Sequence, residues 1–381
     1  MEKIRGQDFV RRPLPKLVTG ADVRKEGMAD LDRLTTPAER AADEELLKLL
    51  GLIPARANLR TIQSEVLGDQ VAGFYDPRKK QLALASDAGA QDETVGEITL
   101  AHELTHALDD QHFGITDQPS TTDDKSTAYT ALVEGDATAV MSRYAELYMR
   151  GSDLLGVLFA GSPENGPPLP PYIEASLEFP YLDGERFVQA LVRYARGWKL
   201  VNYAFHFRPP VSTAQILHPL LYVRDVKPVP VRLRVRPLLG RSWRRVLSGT
   251  VGEFDTRQLL QRGTDAAHAN EIAAVWRGGS YELWRSGPLP SADCPGPCLP
   301  HDALVLAWQT AAGRDASAFA SALGQYVERG LGGQPQARGG WALAGGGVAT
   351  LVSRGGTTVL ALAPSQVMAS VLAARSVASA G

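Results

Sequence analysis

The chain is short of cysteine, of surplus charge and of long apolar runs, and each shortage closes off a class of protein. Its only cysteines, Cys294 and Cys298, bracket the turn Cys-Pro-Gly-Pro-Cys. Two thiolates fall short of the four ligands of a structural zinc site, so the turn either closes a small disulfide loop or carries two free thiols. Lys and Arg total 40 against 42 Asp and Glu, a formal charge of -2. With no evident basic stripe either, the sequence gives no reason to expect nucleic acid or an anionic membrane surface as partner. No stretch approaches the roughly 20 apolar residues that cross a bilayer, and even Thr357 to Ala363 is cut by Pro364, so no transmembrane segment is expected. Lys3, Arg5, Asp8, Arg11 and Arg12 occupy the region where a secretory signal needs its apolar middle, which as written predicts a cytoplasmic chain. No internal repeat is present.

What the chain does have is 44% hydrophobic residues over 381 positions, enough for two globular units. The expected organisation is an extended and helical lead over 1–60, a chemistry-bearing domain over 61–225 and a smaller α+β domain over 226–381. Pro37 to Leu52 reads as a helix closed by Gly51. Val71 to Ala85 reads as two antiparallel strands around Asp76-Pro77-Arg78-Lys79-Lys80, with an edge strand available to an extended peptide. Thr94 and Glu97 form a capping box for a helix running to about His112. A second helix is expected over Ser126 to Tyr148, and a third over Gly184 to Trp198 after the prolines from Pro163 to Pro171. Further on, a Val-Arg alternation at Val229 to Val235, a helix at Asp315 to Val327, a hairpin from Trp341 to Ala363 and a last helix complete an α+β pattern.

The chemistry concentrates in His102-Glu103-Leu104-Thr105-His106, inside the first of these helices. Four residues carry a helix about 40° past a full turn, so both imidazoles leave one face and can share a Zn2+ ion, while Glu103 lies about 100° round the axis. That offset suits Glu103 to be the general base acting on water, rather than a ligand. A catalytic zinc keeps three protein ligands, and two candidates compete for the third. His112 stands six residues past His106, but Asp109 occupies the place where a third-histidine motif needs Gly to leave the helix. Glu134 lies in Ala131-Leu132-Val133-Glu134-Gly135-Asp136-Ala137, where a carboxylate in an apolar helix needs a partner. Glu134 is the preferred ligand.

With a downstream helical Glu, this pattern resembles the gluzincin zinc metallopeptidases. A wider likeness, to uncharacterised microbial metallopeptidases, rests on Gly73-Phe-Tyr-Asp-Pro77, His102 to His112, Glu134-Gly-Asp-Ala137 and Ser212 to Pro219. Ala214 and Asp109 depart from that pattern, which carries Glu and Gln there. The resemblance implies a zincin-like fold, a peptide or protein substrate and relatives that are often exported.

Each metal imidazole needs support at its other nitrogen, for which Asp109, Asp110 and Asp136 are candidates; the likeness favours Asp110. The donor for a developing oxyanion is sought among His218, Tyr181 and Tyr222, with His218 favoured by the same likeness. Two other classes stay open on sequence: a non-catalytic zinc-binding protein, and an amidase or nuclease using His102, His106 and His112.

Overall fold

The computed structural model describes residues 1–69, 73–85, 93–115, 123–149, 168–287 and 296–377. It is a mixed α+β structure in which helices carry the candidate site and a seven-stranded sheet lies beside them.

The lead holds α1 (Glu2–Arg5), β1 (Lys16–Val18), α2 (Gly20–Leu34), α3 (Pro37–Leu49) and α4 (Leu59–Asp69). Thr36 caps α3 reciprocally with Glu39, and Pro37 supplies a pre-set φ at the first helical position. The helix stops at Leu49, earlier than expected, because Gly51 with φ 64° turns the chain out in the left-handed conformation. The next pair is β2 (Gly73–Asp76) and β3 (Gln81–Ala85), antiparallel with Tyr75 opposite Leu82. Asp76 Oδ1 accepts from the amides of Arg78 and Lys79 at 2.9 and 3.1 Å and so fixes the turn. The unforeseen β1 joins β3 in parallel, leaving β2 at the edge.

Three long helices follow. They are α5 (Glu93–Phe113), α6 (Asp123–Tyr148) and α7 (Pro171–Ala195). Thr94 is already helical in α5 and so is not its N-cap; the residue before Glu93 lies outside the described residues. The third helix starts 13 residues before the expected Gly184 and includes Pro180, while Trp198 flanks the next helix, α8 (Lys199–His206). Pro180 and Phe179 are buried, and burial of this apolar face outweighs the backbone bond that proline forfeits. Leu132, Phe187, Leu191 and Phe205 form the centre of this helical core, to which the short helices α9 (Thr213–Leu217) and α10 (Pro219–Val223) add Ile216 and Tyr222.

The sheet runs β4 (Arg244–Gly249), β5 (Trp276–Arg285), β6 (Asp302–Thr310), β10 (Thr357–Ala363), β9 (Gly347–Arg354), β8 (Trp341–Leu343) and β7 (Gln334–Pro335) in spatial order. All its pairings are antiparallel. Period-two alternation divides β6 between two cores. Leu304, Leu306 and Trp308 face α11 (Glu253–Gln261), α12 (Ala266–Ala273) and α13 (Arg314–Gln325), while Ala303, Val305 and Ala307 face α14 (Gln366–Arg375). Leu49, Leu50 and Leu52 from the lead are buried in the first of these cores. The Val229–Val235 alternation makes no ladder; only Leu233 bridges to Val377. Pro228, Pro230 and Pro237 remove amides that a strand would need. Among the described residues no helix is long and apolar enough to cross a membrane.

Candidate metal centre

The centre is assembled where α5 crosses α6. Nε2 of His102 and Nε2 of His106 are 3.0 Å apart, and Glu134 Oε2 lies 3.1 and 3.2 Å from them. A tetrahedral centre with bonds of about 2.0–2.1 Å places its ligand atoms about 3.3 Å apart, so this triangle is the size of one face of such a site. Two neutral imidazoles and a carboxylate also form a donor set suited to zinc or a similar divalent ion. The three side chains fit a metal.

Burial opposes ionisation of Glu134, but His106 and His102 outweigh it and hold the carboxyl well below its usual range. Burial likewise disfavours charge on His106, yet Glu134 beside it pushes the imidazole up to about 9. The donor set therefore attracts a cation, and a proton competes with a metal for the same nitrogen. Glu103 is nearly buried and does not belong to the triangle. Burial raises its carboxyl above the usual range, against the pull of both histidines, and the backbone of Tyr75 on β2 hydrogen-bonds to it.

Each residue of Glu134-Gly-Asp-Ala has a separate task. Glu134 supplies the oxygen donor. Gly135 lies against Gly184 of α7, where a Cβ on either residue would overlap the backbone of the other helix. Only glycine permits that approach. Ala137 is fully buried. Asp136 is also fully buried and meets Arg5 Nε at 2.7 Å, while Asp109 of α5 lies 3.4 Å from Arg5 Nη2. The guanidinium reaches Asn202 at 2.7 Å and stands 4.5 Å over the Trp198 ring. An arginine from α1 thus ties α5 to α6 directly behind the donors. Burial and the neighbouring Asp136 push Asp109 well above the usual carboxylate range, with Arg5 opposing them.

Several expected roles fall elsewhere. Asp110 accepts from Tyr75 Oη at 2.8 Å and from Lys80 Nζ at 2.7 Å, so it anchors β2 and its turn to α5 instead of supporting an imidazole. His106 Nδ1 is buried with no hydrogen-bond partner among the described residues. His112 Nε2 is 2.9 Å from the Asp8 carbonyl, engaged by the N-terminal segment and outside the donor group. His218 Nε2 lies 2.8 Å from Glu253 Oε1, which also takes Arg257 at 2.6 Å; this ties the Ser212 to Pro219 segment to α11. Tyr222 Oη donates to the Arg208 carbonyl. Of the three candidates for an oxyanion donor, Tyr181 is the one that reaches the centre: its ring is 5.9 Å from that of His102, and its hydroxyl hydrogen-bonds to Glu134. The charge of Glu134, together with desolvation of the hydroxyl on a residue that is otherwise 43% exposed, keeps this phenol protonated well above its usual range. Its sequence signal was faint, since it lies three residues before the glycine crossing on a helix interrupted by proline.

A second donor group, Glu45, Cys298 and Asp302, does not make a metal site. The Cys298 sulfur is in a disulfide, and Arg285 clasps Asp302 through two bonds of 2.6 Å while approaching Glu45 at 3.6 Å. Cys294 lies outside the described residues.

Comparison with known proteins touches only the sheet and the helices packed on it. Residues 240–372 match a family model described as a domain of unknown function, DUF8575, which spans β4 to most of α14 and none of the metal donors. No curated protein and no solved structure matches the chain.

Proposed function

We propose that the chain is a zinc-dependent peptidase of zincin-like fold that hydrolyses peptide bonds, with Glu103 as general base. The observation that carries this reading is the convergence of His102, His106 and Glu134 on 3.0–3.2 Å edges, with a buried carboxylate one residue along the same helix. Zinc held by these three side chains supplies Lewis acidity to a substrate carbonyl and to water. Glu103 takes the proton of the attacking water at its carboxylate and gives it to the departing amine nitrogen. Its raised proton affinity suits both halves of that transfer, and the Tyr75 backbone holds the carboxylate in place. Tyr181 turns its hydroxyl proton from Glu134 to the carbonyl oxygen, donating a hydrogen bond there as negative charge develops. One water is added across the C–N bond and no covalent enzyme intermediate is formed.

The test combines metal content with casein hydrolysis for wild type, Glu103→Ala and Glu134→Ala. About one zinc per chain, kept without turnover in Glu103→Ala and lost in Glu134→Ala, is expected. Full hydrolysis by Glu103→Ala refutes the base assignment. Zinc bound without hydrolysis by the wild type supports a binding protein instead.

A further inference from the structure

The near-zero total charge conceals a local imbalance. Between residues 226 and 252 the chain carries Lys227 and six arginines and no acidic residue. The segment from Leu233 folds back beside the start of β4 and the end of β5, and there it borders a cavity of about 580 Å³. Arg234, Arg236, Arg244 and Arg245 line it, with Glu282 as its one carboxylate.

Glu282 is already committed. Its Oε1 lies 3.3 Å from Arg245 Nη1, and its Oε2 accepts from Trp284 Nε1 at 2.7 Å. Arg236 is held by carbonyls, at 3.2 Å from Gly240 O and 3.4 Å from Trp243 O, and stands 5.8 Å from the Trp284 ring. Those bonds orient its guanidinium without cancelling its charge. Arg234 and Arg244 are exposed and have no acidic partner among the described residues. Four guanidinium charges against one carboxylate leave three positive charges uncompensated in one recess.

We propose that this recess is a binding site for a small polyanion, a molecule presenting two or more oxyanion charges as phosphate or carboxylate groups. Guanidinium forks pair bidentately with both groups, and convergent arginines desolvate less strongly than ammonium groups would. The size of the recess admits a compact ligand. Trp243 and Trp284 also line the recess but are only 9% and 5% exposed, too little for the base stacking that single-stranded nucleic acid uses. The recess shares no residue with the metal donors, and this inference stands whether or not the chain is a peptidase.

The test is calorimetric titration of the full chain with inorganic pyrophosphate and, separately, with citrate; the tighter of the two distinguishes phosphate from carboxylate chemistry. Because both probes chelate metal, His106→Ala is titrated in parallel and is expected to bind them as the wild type does. Arg234→Gln with Arg244→Gln should weaken binding at least tenfold with an unchanged melting midpoint, and raised salt should weaken it in the wild type. Lysine at the same two positions keeps the charge and should fall between. The proposal is overturned by absence of saturable millimolar binding, by equal affinity in the glutamine variant, by loss of binding in His106→Ala, or by an oligonucleotide binding more than tenfold tighter than either probe.

Discussion

Replacing Arg5 with methionine tests how α5 and α6 are held together. Arg5, Asp109 and Asp136 are all fully buried, and the guanidinium is the only cation in contact with either carboxylate among the described residues. Methionine keeps an unbranched apolar stem of similar reach and removes the charge, with the guanidinium that stands over Phe113 and Trp198. Taking one partner from a buried ionic group costs about 3–5 kcal/mol, because the other charge is left behind. Here two acids are left behind, and protonation of Asp109 relieves part of the cost. Arg5 opposes the raised proton affinity of Asp109, so without it that affinity climbs further above the unfolded value. The stability associated with a raised acid is present at low pH and lost as pH climbs through the folded value. The deficit of Arg5→Met should therefore be largest near pH 8 and shrink toward pH 5. Urea unfolding at both values, followed by circular dichroism, measures it. A deficit below about 1 kcal/mol at pH 8, or one that grows on acidification, refutes the reasoning. Adding Asp136→Asn removes one stranded charge and should restore part of the loss.

Three other outcomes are expected. Gly135→Ala should cost at least about 1–3 kcal/mol in urea unfolding, since the obstacle is backbone on α7 and cannot turn aside; a neutral result would mean that the helices do not touch there. Zinc titrations at pH 7.5 in buffers of different ionisation enthalpy should reveal about one proton released per ion, and affinity should climb as pH rises toward about 9, because His106 Nε2 must lose its proton to bind; release of none contradicts that. Tyr181→Phe should keep its zinc and lose at least tenfold in kcat on a peptide substrate, whereas His218→Ala should stay within threefold; the reverse order would return the oxyanion role to His218.

What could be read in the sequence was what is local. His102, Glu103 and His106 are fixed by one helix, so their spacing alone describes their relative directions. Glu134 stood out because an apolar helical stretch has no other use for an isolated carboxylate. Arg5 could not be read: 131 residues separate it from Asp136, and in sequence it is one charge among several in a polar lead. Asp110 illustrates the converse. Its position four residues past His106 places it on the right side of the helix, but Tyr75 and Lys80, brought over by β2 and its turn, claim both oxygens. The full length of α7 was hidden by Pro180, whose local cost is visible in sequence while the burial that offsets it is not. The basic run before β4 escaped because net charge is a sum, and binding depends on how charge is distributed.

The contact of Gly135 with Gly184 also determines how the centre can move. Most helix pairs meet through side chains, whose rotamers let one helix slide a little against the other. Here main chain rests on main chain, one residue from Glu134 and three from Tyr181. The joint is a bearing without a cushion at that point: beside the side-chain core that α6 and α7 share, it pins the two helices where they touch and resists sliding there. Glu134 and Tyr181 lie one and three residues from the pinned point, so whatever opens or closes around a ligand moves them least against each other.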